Sequence, residues 1–340
     1  MKKQPAFNPA PFVHTAKQTW DMKLEYDQFL AENSHLAAPF HITGLEDILP
    51  KQYPGNLTVH FAKSHHGKST ALRSSAFKAQ QRIENTDFLI GVVSLEDSAE
   101  TTASKQSRRY ADPMEYQDDQ MVFIGNSFNM DAEDMNKLNV GNIIRSLEYA
   151  LEQLPDKKGY SHIYIDYAQI IPPDPERSSM TNYDQKRLQI ADDVRRLFHA
   201  AKQFRCPVDF ASQALLKQQR DNYTSLMRIP GAADLKEAGE LYEIPDIAIA
   251  YWFPKLEPNT PVGSHIDDGS WSFDVERNLF FIRIAKWRNA ELMGFVGEKD
   301  IIGRVFPCWI AENGEMYYDP KKHSQMTATS VAEKKRMGIR

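Results

Sequence analysis

The sequence predicts an α/β fold: a mainly parallel central sheet flanked by helices, with closing antiparallel strands on the C-terminal side. Three observations carry this. From about residue 41 to residue 252, short apolar strand-like runs alternate with helix-compatible segments, the pattern of strands joined by crossover helices. One of these runs, 161–166, ends in Asp166, a carboxylate at the carboxyl end of a strand, where open α/β sheets bind ligands. Two late runs, 277–286 and 292–310, then read as the closing strands.

Residues 1–16 carry three prolines and read as a loose arm. Residues 17–33 read as a helix whose partly apolar face includes Trp20, Leu24 and Phe29. Pro39 and the following loop separate it from the main domain. Strands are expected at 57–62, 88–95, 121–125, 161–166, 206–212 and 246–252, and helices at 68–82, 98–109, 141–153 and 184–204. The polar stretch 255–275 reads as an exposed hairpin or loop, and the polar, basic tail from Lys321 to Arg340 as mobile. The expected division is an arm and linker-like helix over 1–40, one core domain over 41–315 and a tail over 316–340. No internal repeat is visible.

Composition narrows the class. The chain has 340 residues, 41% hydrophobic and 26% charged, which is ordinary for a globular protein. Its formal charge of −5 gives no overall basic character, so contact with nucleic acid would have to come from local loops. Cys206 and Cys308 sit in apolar strand-like sequence and read as buried free thiols. No apolar signal region and no run of about 18 apolar residues is present, which suits a soluble cytoplasmic protein.

The run Val59-His60-Phe61-Ala62-Lys63-Ser64-His65-His66-Gly67-Lys68-Ser69-Thr70 holds the clearest chemistry. A strand enters Gly-Lys-Ser-Thr and a helix follows, the layout of a phosphate-binding loop. Backbone N–H groups over Ala62–Thr70 would cradle a triphosphate, Lys68 would reach its terminal phosphates and Ser69 would ligate Mg²⁺. The usual pattern opens with Gly where this chain has Ala62. Taken alone, the run also suits an ordinary strand–turn–helix corner with Lys68 solvated.

Hydrolysis needs further groups, and strand ends offer them. Asp166 suits a metal-holding carboxylate, or a capping or turn aspartate. Glu96, after Val92-Val93-Ser94-Leu95, suits a group that orients water, or an N-cap for the next helix. Gln213 suits a γ-phosphate sensor, or a polar strand end. Lys286 and Arg288 alternate in Arg283-Ile284-Ala285-Lys286-Trp287-Arg288-Asn289. Their side chains therefore share one face and could reach a phosphate on the same or a neighbouring subunit, or form a solvated basic edge.

In this order the motifs resemble the motor domain of DnaB-type replicative helicases. Thr43-Gly44-Leu45-Glu46-Asp47, Ser94-Leu95-Glu96, Ile165-Asp166-Tyr167-Ala168-Gln169, Asp234-Leu235-Lys236-Glu237-Ala238-Gly239 and Lys286-Trp287-Arg288-Asn289 each have a counterpart there. Ala62 is a common first residue of that family's loop. The resemblance spans about residues 42–310 and implies a RecA-like P-loop ATPase core that uses ATP and Mg²⁺. It further implies that Lys68 and Ser69 bind phosphate and metal, Asp166 holds the metal, Glu96 activates water and Gln213 senses the γ-phosphate. Lys286 and Arg288 would act across a subunit interface. The family forms rings, commonly hexamers, that move on single-stranded DNA, and helix 17–33 resembles its linker helix, which docks on the adjacent subunit. Channel-facing loops would lie at 172–187 and 214–233, offering Arg177, Lys186, Arg187, Lys217, Arg220 and Arg228, or would be plain solvated surface.

The chain also departs from the family. About 40 residues precede the core, too few for the family's N-terminal collar, which puts primase docking in doubt. Ser64 stands where Pro is preferred. His65 and His66 replace small or apolar residues, and with the backbone doing the cradling their side chains need not matter. A metal site at this pair lacks further ligands. The acidic loop 112–119 and the segment 255–275 have no clear counterpart. An ATP-dependent helicase or single-strand translocase is the first reading. A regulatory ATPase that oligomerises with nucleotide and recruits a protein partner is the second, and a scaffold without turnover the third.

Overall fold

The computed structural model describes residues 15–32, 37–38, 40–46, 48–49, 51–83, 86–108, 120–127, 130, 137–166, 171–172, 183–214, 229–232, 234–235, 239–257, 260–267, 271–288 and 301–326, with the side chains of Tyr26, Phe29, Leu30, 183–187 and Asp267 excepted. In chain order the elements are α1 (Ala16–Glu32), β1 (Leu57–Ala62), α2 (Lys68–Ile83), β2 (Phe88–Ser94), α3 (Ala99–Ser107) and β3 (Met121–Gly125). They continue with α4 (Val140–Gln153), β4 (Gly159–Asp166), α5 (Tyr183–Phe204), β5 (Val208–Gln213), α6 (Glu240–Glu243) and β6 (Ile247–Trp252). The short strands β7 (His265–Asp267) and β8 (Ser272–Asp274) precede β9 (Leu279–Trp287), β10 (Val305–Ile310) and β11 (Met316–Tyr317).

Among the described residues, nine strands form one sheet in the order β11-β10-β9-β6-β1-β5-β4-β2-β3. The strands from β6 to β3 are parallel, and β9, β10 and β11 close the sheet antiparallel. This is the expected architecture, and the expected helices and central strands recur to within about two residues at each end. Strands β1 and β6 are buried along their whole length because helices or loops cover both faces, as parallel sheets require. Leu57, Val59 and Phe61 turn to the face covered by Ile143 and Leu147 of α4 and Val194 and Leu197 of α5. Leu72, Ala76 and Ala79 of α2 pack on the other face, against Tyr164 and Ala211. The segment 40–49 extends that cover over β6, β9 and β10 through Phe40, Ile42 and Leu45.

Three expectations are corrected. The closing strand placed at 292–310 begins at Val305, after a turn over 301–303, and 292–300 lies outside the described residues. The stretch 255–275 does contain a hairpin, β7–β8, yet its Ile266 and Phe273 enter the main core, so only its polar face meets solvent. That face is tied by His265 Nδ1 to Asp274 Oδ1 at 2.9 Å and by Ser272 Oγ to His265 Nε2 at 3.2 Å. Residues 316–326, assigned to a tail, are docked. Met316–Tyr317 joins the sheet, a helical turn covers 320–326, and His323 stacks on Trp271 at 4.9 Å while bonding the Tyr318 hydroxyl at 2.7 Å. Both cysteines are free and buried, as expected. No helix among the described residues is long and apolar enough to cross a membrane.

Candidate nucleotide site and cation pair

The carboxyl edge of the parallel strands gathers most of the predicted site. Strand β1 runs into the turn 63–67, and α2 starts at Lys68. His65 (φ 65°) and Gly67 (φ 81°) adopt the left-handed region. A Cβ at Gly67 would collide with the Phe253 ring, so glycine is required twice over, by φ and by the approach of that ring. Lys68 Nζ folds back on the loop, donating to the Lys63 carbonyl at 3.2 Å and lying 3.5 Å from that of Ala62. Burial lowers the Lys68 pKa, and the Asp166 and Glu96 carboxylates pull against that shift.

Asp166 ends β4 on the same edge. Its carboxyl is raised above the usual carboxylate range by burial, while a hydrogen bond from Ser69 and the Arg73 guanidinium draw it down. Its Oδ1 is buried with no hydrogen-bond partner among the described residues. An unsatisfied carboxylate oxygen beside a serine hydroxyl fits a hard divalent cation, which takes oxygen ligands. Ser69, Arg73, Thr102 and Asp166 line one crevice between α2 and the β2 and β4 ends.

Glu96 follows β2 at this edge and is exposed. It does not cap α3, because Ser98 does, accepting from the Thr101 N–H. Gln213 ends β5 in register with Ala62, and the next N–H, that of Ala214, donates to the Ala62 carbonyl at 2.8 Å. The sheet thus brings Lys68, Ser69, Glu96, Asp166 and Gln213 to one edge.

The expectation that the loop histidines' side chains need not matter is corrected for His66. Its ring is buried, and Nδ1 accepts the Phe253 N–H at 3.1 Å. Burial lowers its pKa to about 4, which keeps the ring neutral and able to accept. Glu257 accepts from Lys63 and, at 3.2 Å, from Trp252 Nε1. Side chains outside the recognised pattern therefore fasten the loop to the segment following β6. No group of residues able to hold a metal as a cluster, at His65–His66 or elsewhere, occurs among the described residues.

Lys286 and Arg288 lie elsewhere. Strand β9 is antiparallel to β6, with Trp287 opposite Ile247, so its end lies at the amino edge of the parallel strands. Strand β1 spans six residues, which puts that edge about 17 Å from the phosphate loop by strand rise. The pair cannot reach the triphosphate position of its own chain. Nor is it a solvated edge: Lys286 Nζ donates to the carbonyls of Tyr242 (2.7 Å) and Glu243 (2.8 Å). Arg288 bonds the Glu243 carbonyl at 2.8 Å and Asp246 Oδ1 at 3.2 Å.

One cluster was not foreseen. Under α2, Asp209 of β5 accepts from Gln52 Nε2 at 2.9 Å and contacts His60 Nε2 at 3.2 Å. His60 Nδ1 meets the Tyr251 hydroxyl (2.7 Å), which meets His41 Nε2 (3.0 Å). His162 Nε2 lies 3.5 Å from Asp209 Oδ1, at the outer limit of a hydrogen bond. Burial would raise Asp209, but His162 and His60 hold it well below the usual carboxylate range. The only signal in the sequence is polar residues at alternate positions, Thr58 and His60 in β1 and His162 and Tyr164 in β4.

The proposed DNA contacts Arg177, Lys217, Arg220 and Arg228, and the side chains of Lys186 and Arg187, lie outside the described residues, as do Tyr167–Gln169, Asn289 and the loop 112–119.

No protein-family model matches the chain, and no curated protein matches it in sequence. Solved structures share its fold. The ATPase domain of one DnaB-like helicase superposes with a TM-score of 0.60 at 14% identity, over 88% of this chain and 98% of that one. A DnaB-like replicative helicase, studied with its interactions with primase, superposes with a TM-score of 0.52 at 16% identity over 78% of this chain. This chain spans 58% of that second helicase's length.

Proposed function

We propose that the chain is a ring-forming, ATP-dependent DNA helicase or single-strand translocase that hydrolyses ATP between subunits. The observation that supports this best is the division of the machinery between two sheet edges. The carboxyl edge carries Lys68, Ser69, Glu96, Asp166 and Gln213, and the amino edge carries Lys286 and Arg288. A second copy that sets its amino edge against the first copy's loop completes the site. Such a heterologous contact, repeated, closes a ring when its rotation allows.

In this interface the loop N–H groups and Lys68 hold the triphosphate, while Ser69 and Asp166 hold Mg²⁺. The metal, when bound, neutralises charge on the phosphate oxygens. Glu96 orients the attacking water, Gln213 reads the γ-phosphate, and the neighbour's Lys286 and Arg288 stabilise the charge that develops on transfer. Helix α1 serves assembly: Trp20, Met22 and Leu24 are half exposed on it and suit the adjacent subunit. Single-stranded DNA is assigned to the loops 172–187 and 214–233, and the solved structures that share the fold belong to helicases.

The formal charge of −5 favours a second reading, an assembly ATPase that recruits a protein without unwinding. Steady-state ATP hydrolysis with and without single-stranded DNA, at low and moderate salt, separates the two. Strong stimulation that weakens with salt is expected for the translocase. Turnover indifferent to DNA would overturn that reading in favour of the second.

A further inference from the structure

The residue opposite Arg288 is Asp246, which precedes β6 as Arg288 follows β9. The Arg288 N–H donates to the Asp246 carbonyl at 2.7 Å, extending the β6–β9 ladder by one residue. The Asp246 side chain is 8% exposed and uses both oxygens. Oδ1 receives the Arg288 guanidinium at 3.2 Å, and Oδ2 receives the Leu57 N–H at 3.1 Å. Its own N–H donates to the Leu57 carbonyl at 2.8 Å. One carboxylate thus ties together the start of β1, the start of β6 and the end of β9.

Arg288 would otherwise be a long side chain at a strand end, 41% exposed and free to sample many rotamers. Its fork is held at two points, Asp246 and the Glu243 carbonyl, while Lys286 is held by the carbonyls of Tyr242 and Glu243 and lies 5.2 Å from the Tyr242 ring. Catalytic cations contribute most when their direction is set before the substrate arrives, because no reorganisation is then needed. The anchor here is the central strand β1 itself.

We propose that Asp246 is a positioning residue for the cation pair: it sets the direction in which Arg288 leaves the amino edge, and with the α6 carbonyls presents both cations toward a neighbouring subunit. This rests on the interface reading above.

The test uses the assembled full chain with ATP and single-stranded DNA. Asp246→Asn keeps an oxygen for the Leu57 N–H and turns an amide toward Arg288. Its kcat is expected to fall about five- to tenfold, with KM for ATP changed less than about twofold. Combined with Arg288→Ala, it is expected to add nothing beyond about twofold, since both act on one group. Arg288→Lys keeps the charge but cannot span both partners, and is expected to lose about tenfold in kcat without any change at Asp246.

Multiplicative losses in the double variant would assign Asp246 a merely structural role and overturn the proposal. So would a faster Asp246→Asn, which would mean that the contact restrains the cations instead of aiming them. Should Asp246→Asn not fold, Arg288→Lys at wild-type speed would be sufficient to overturn it. If Arg288→Ala itself turns over normally, the finger reading falls, and the positioning role with it.

Discussion

The two edges of the sheet solve opposite problems. At the carboxyl edge the groups are gathered within one chain: Lys68 rests on the Lys63 carbonyl, Ser69 and Asp166 line one crevice, and Glu96 is exposed beside them. At the amino edge Lys286 is partly buried and Arg288 41% exposed, both held by α6 carbonyls and Arg288 also by Asp246. On the proposed reading, one edge binds a triphosphate by itself, whereas the other acts only on that of a neighbour. Binding and turnover should therefore separate by edge.

The largest expected effect tests that separation directly. Arg288→Ala should lower kcat by about a thousandfold, the scale of arginine-finger loss, with nucleotide affinity kept within about twofold. Fluorescent-nucleotide titration beside an ATPase assay reads both quantities. Equal losses in the two would break the comparison.

Next is the carboxyl edge. Lys68→Ala removes charge-assisted contacts to phosphate and should weaken ATP binding by about a hundredfold. Alone, each variant keeps only residual turnover at moderate ATP. Mixed assemblies hold some sites with an intact loop on one side and an intact Arg288 on the other, and should regain activity in proportion to those sites. If co-assembled mixtures stay inactive at every ratio, shared sites are excluded.

A third prediction concerns the layer that connects the edges. Asp209 lies under α2, and its strand ends in Gln213. Asp209→Ala removes one of the two acceptors of Gln52 Nε2 and the partner of His60 Nε2, and should cost about 3 kcal/mol. A urea midpoint shared with wild type would show that the network adds nothing to stability.

The sequence exposed the carboxyl edge because that chemistry is local. A strand running into Gly-Lys-Ser-Thr, and acids or an amide at strand ends, can be read within a few residues. The amino edge needed the direction of β9, and a pair at i and i+2 looks the same at either end of a strand. The Asp209 cluster was hidden for another reason: Thr58, His60, His162 and Asp209 alternate with apolar residues like a strand with one wet face, and α2, with His41 and Gln52, makes that face dry. Ile266 and Phe273 are the converse, apolar residues in a polar stretch that β9 draws into the core. His66 escaped notice because its partner, the Phe253 N–H, is 187 residues away.

The smallest predicted effect is graded with pH. Burial lowers the pKa of His41 well below its usual value and that of His162 below it, and lowers His66 to about 4. In the unfolded chain these rings titrate near pH 6.5. Above that pH both states are neutral and the three contribute no pH dependence. Below it the unfolded chain takes up protons that the folded one refuses, so stability falls as the medium is acidified, by at most about 1.4 kcal/mol per pH unit for each ring. For His66 the loss levels off near its folded value of about 4. Asp209, held low by His162 and His60, adds a second loss only below about pH 4, where an unfolded aspartate protonates. Urea midpoints should be flat from pH 8 to about 6.5 and fall steadily below. His162→Gln should reduce the slope below pH 6.5 by one proton's worth while leaving ATP affinity at pH 7.5 unchanged, because His162 lies in the layer under α2 and touches neither edge. A slope unaltered by that change would remove His162 from the acid response and leave His41, His66 and His323, whose pKa burial also lowers, to carry it.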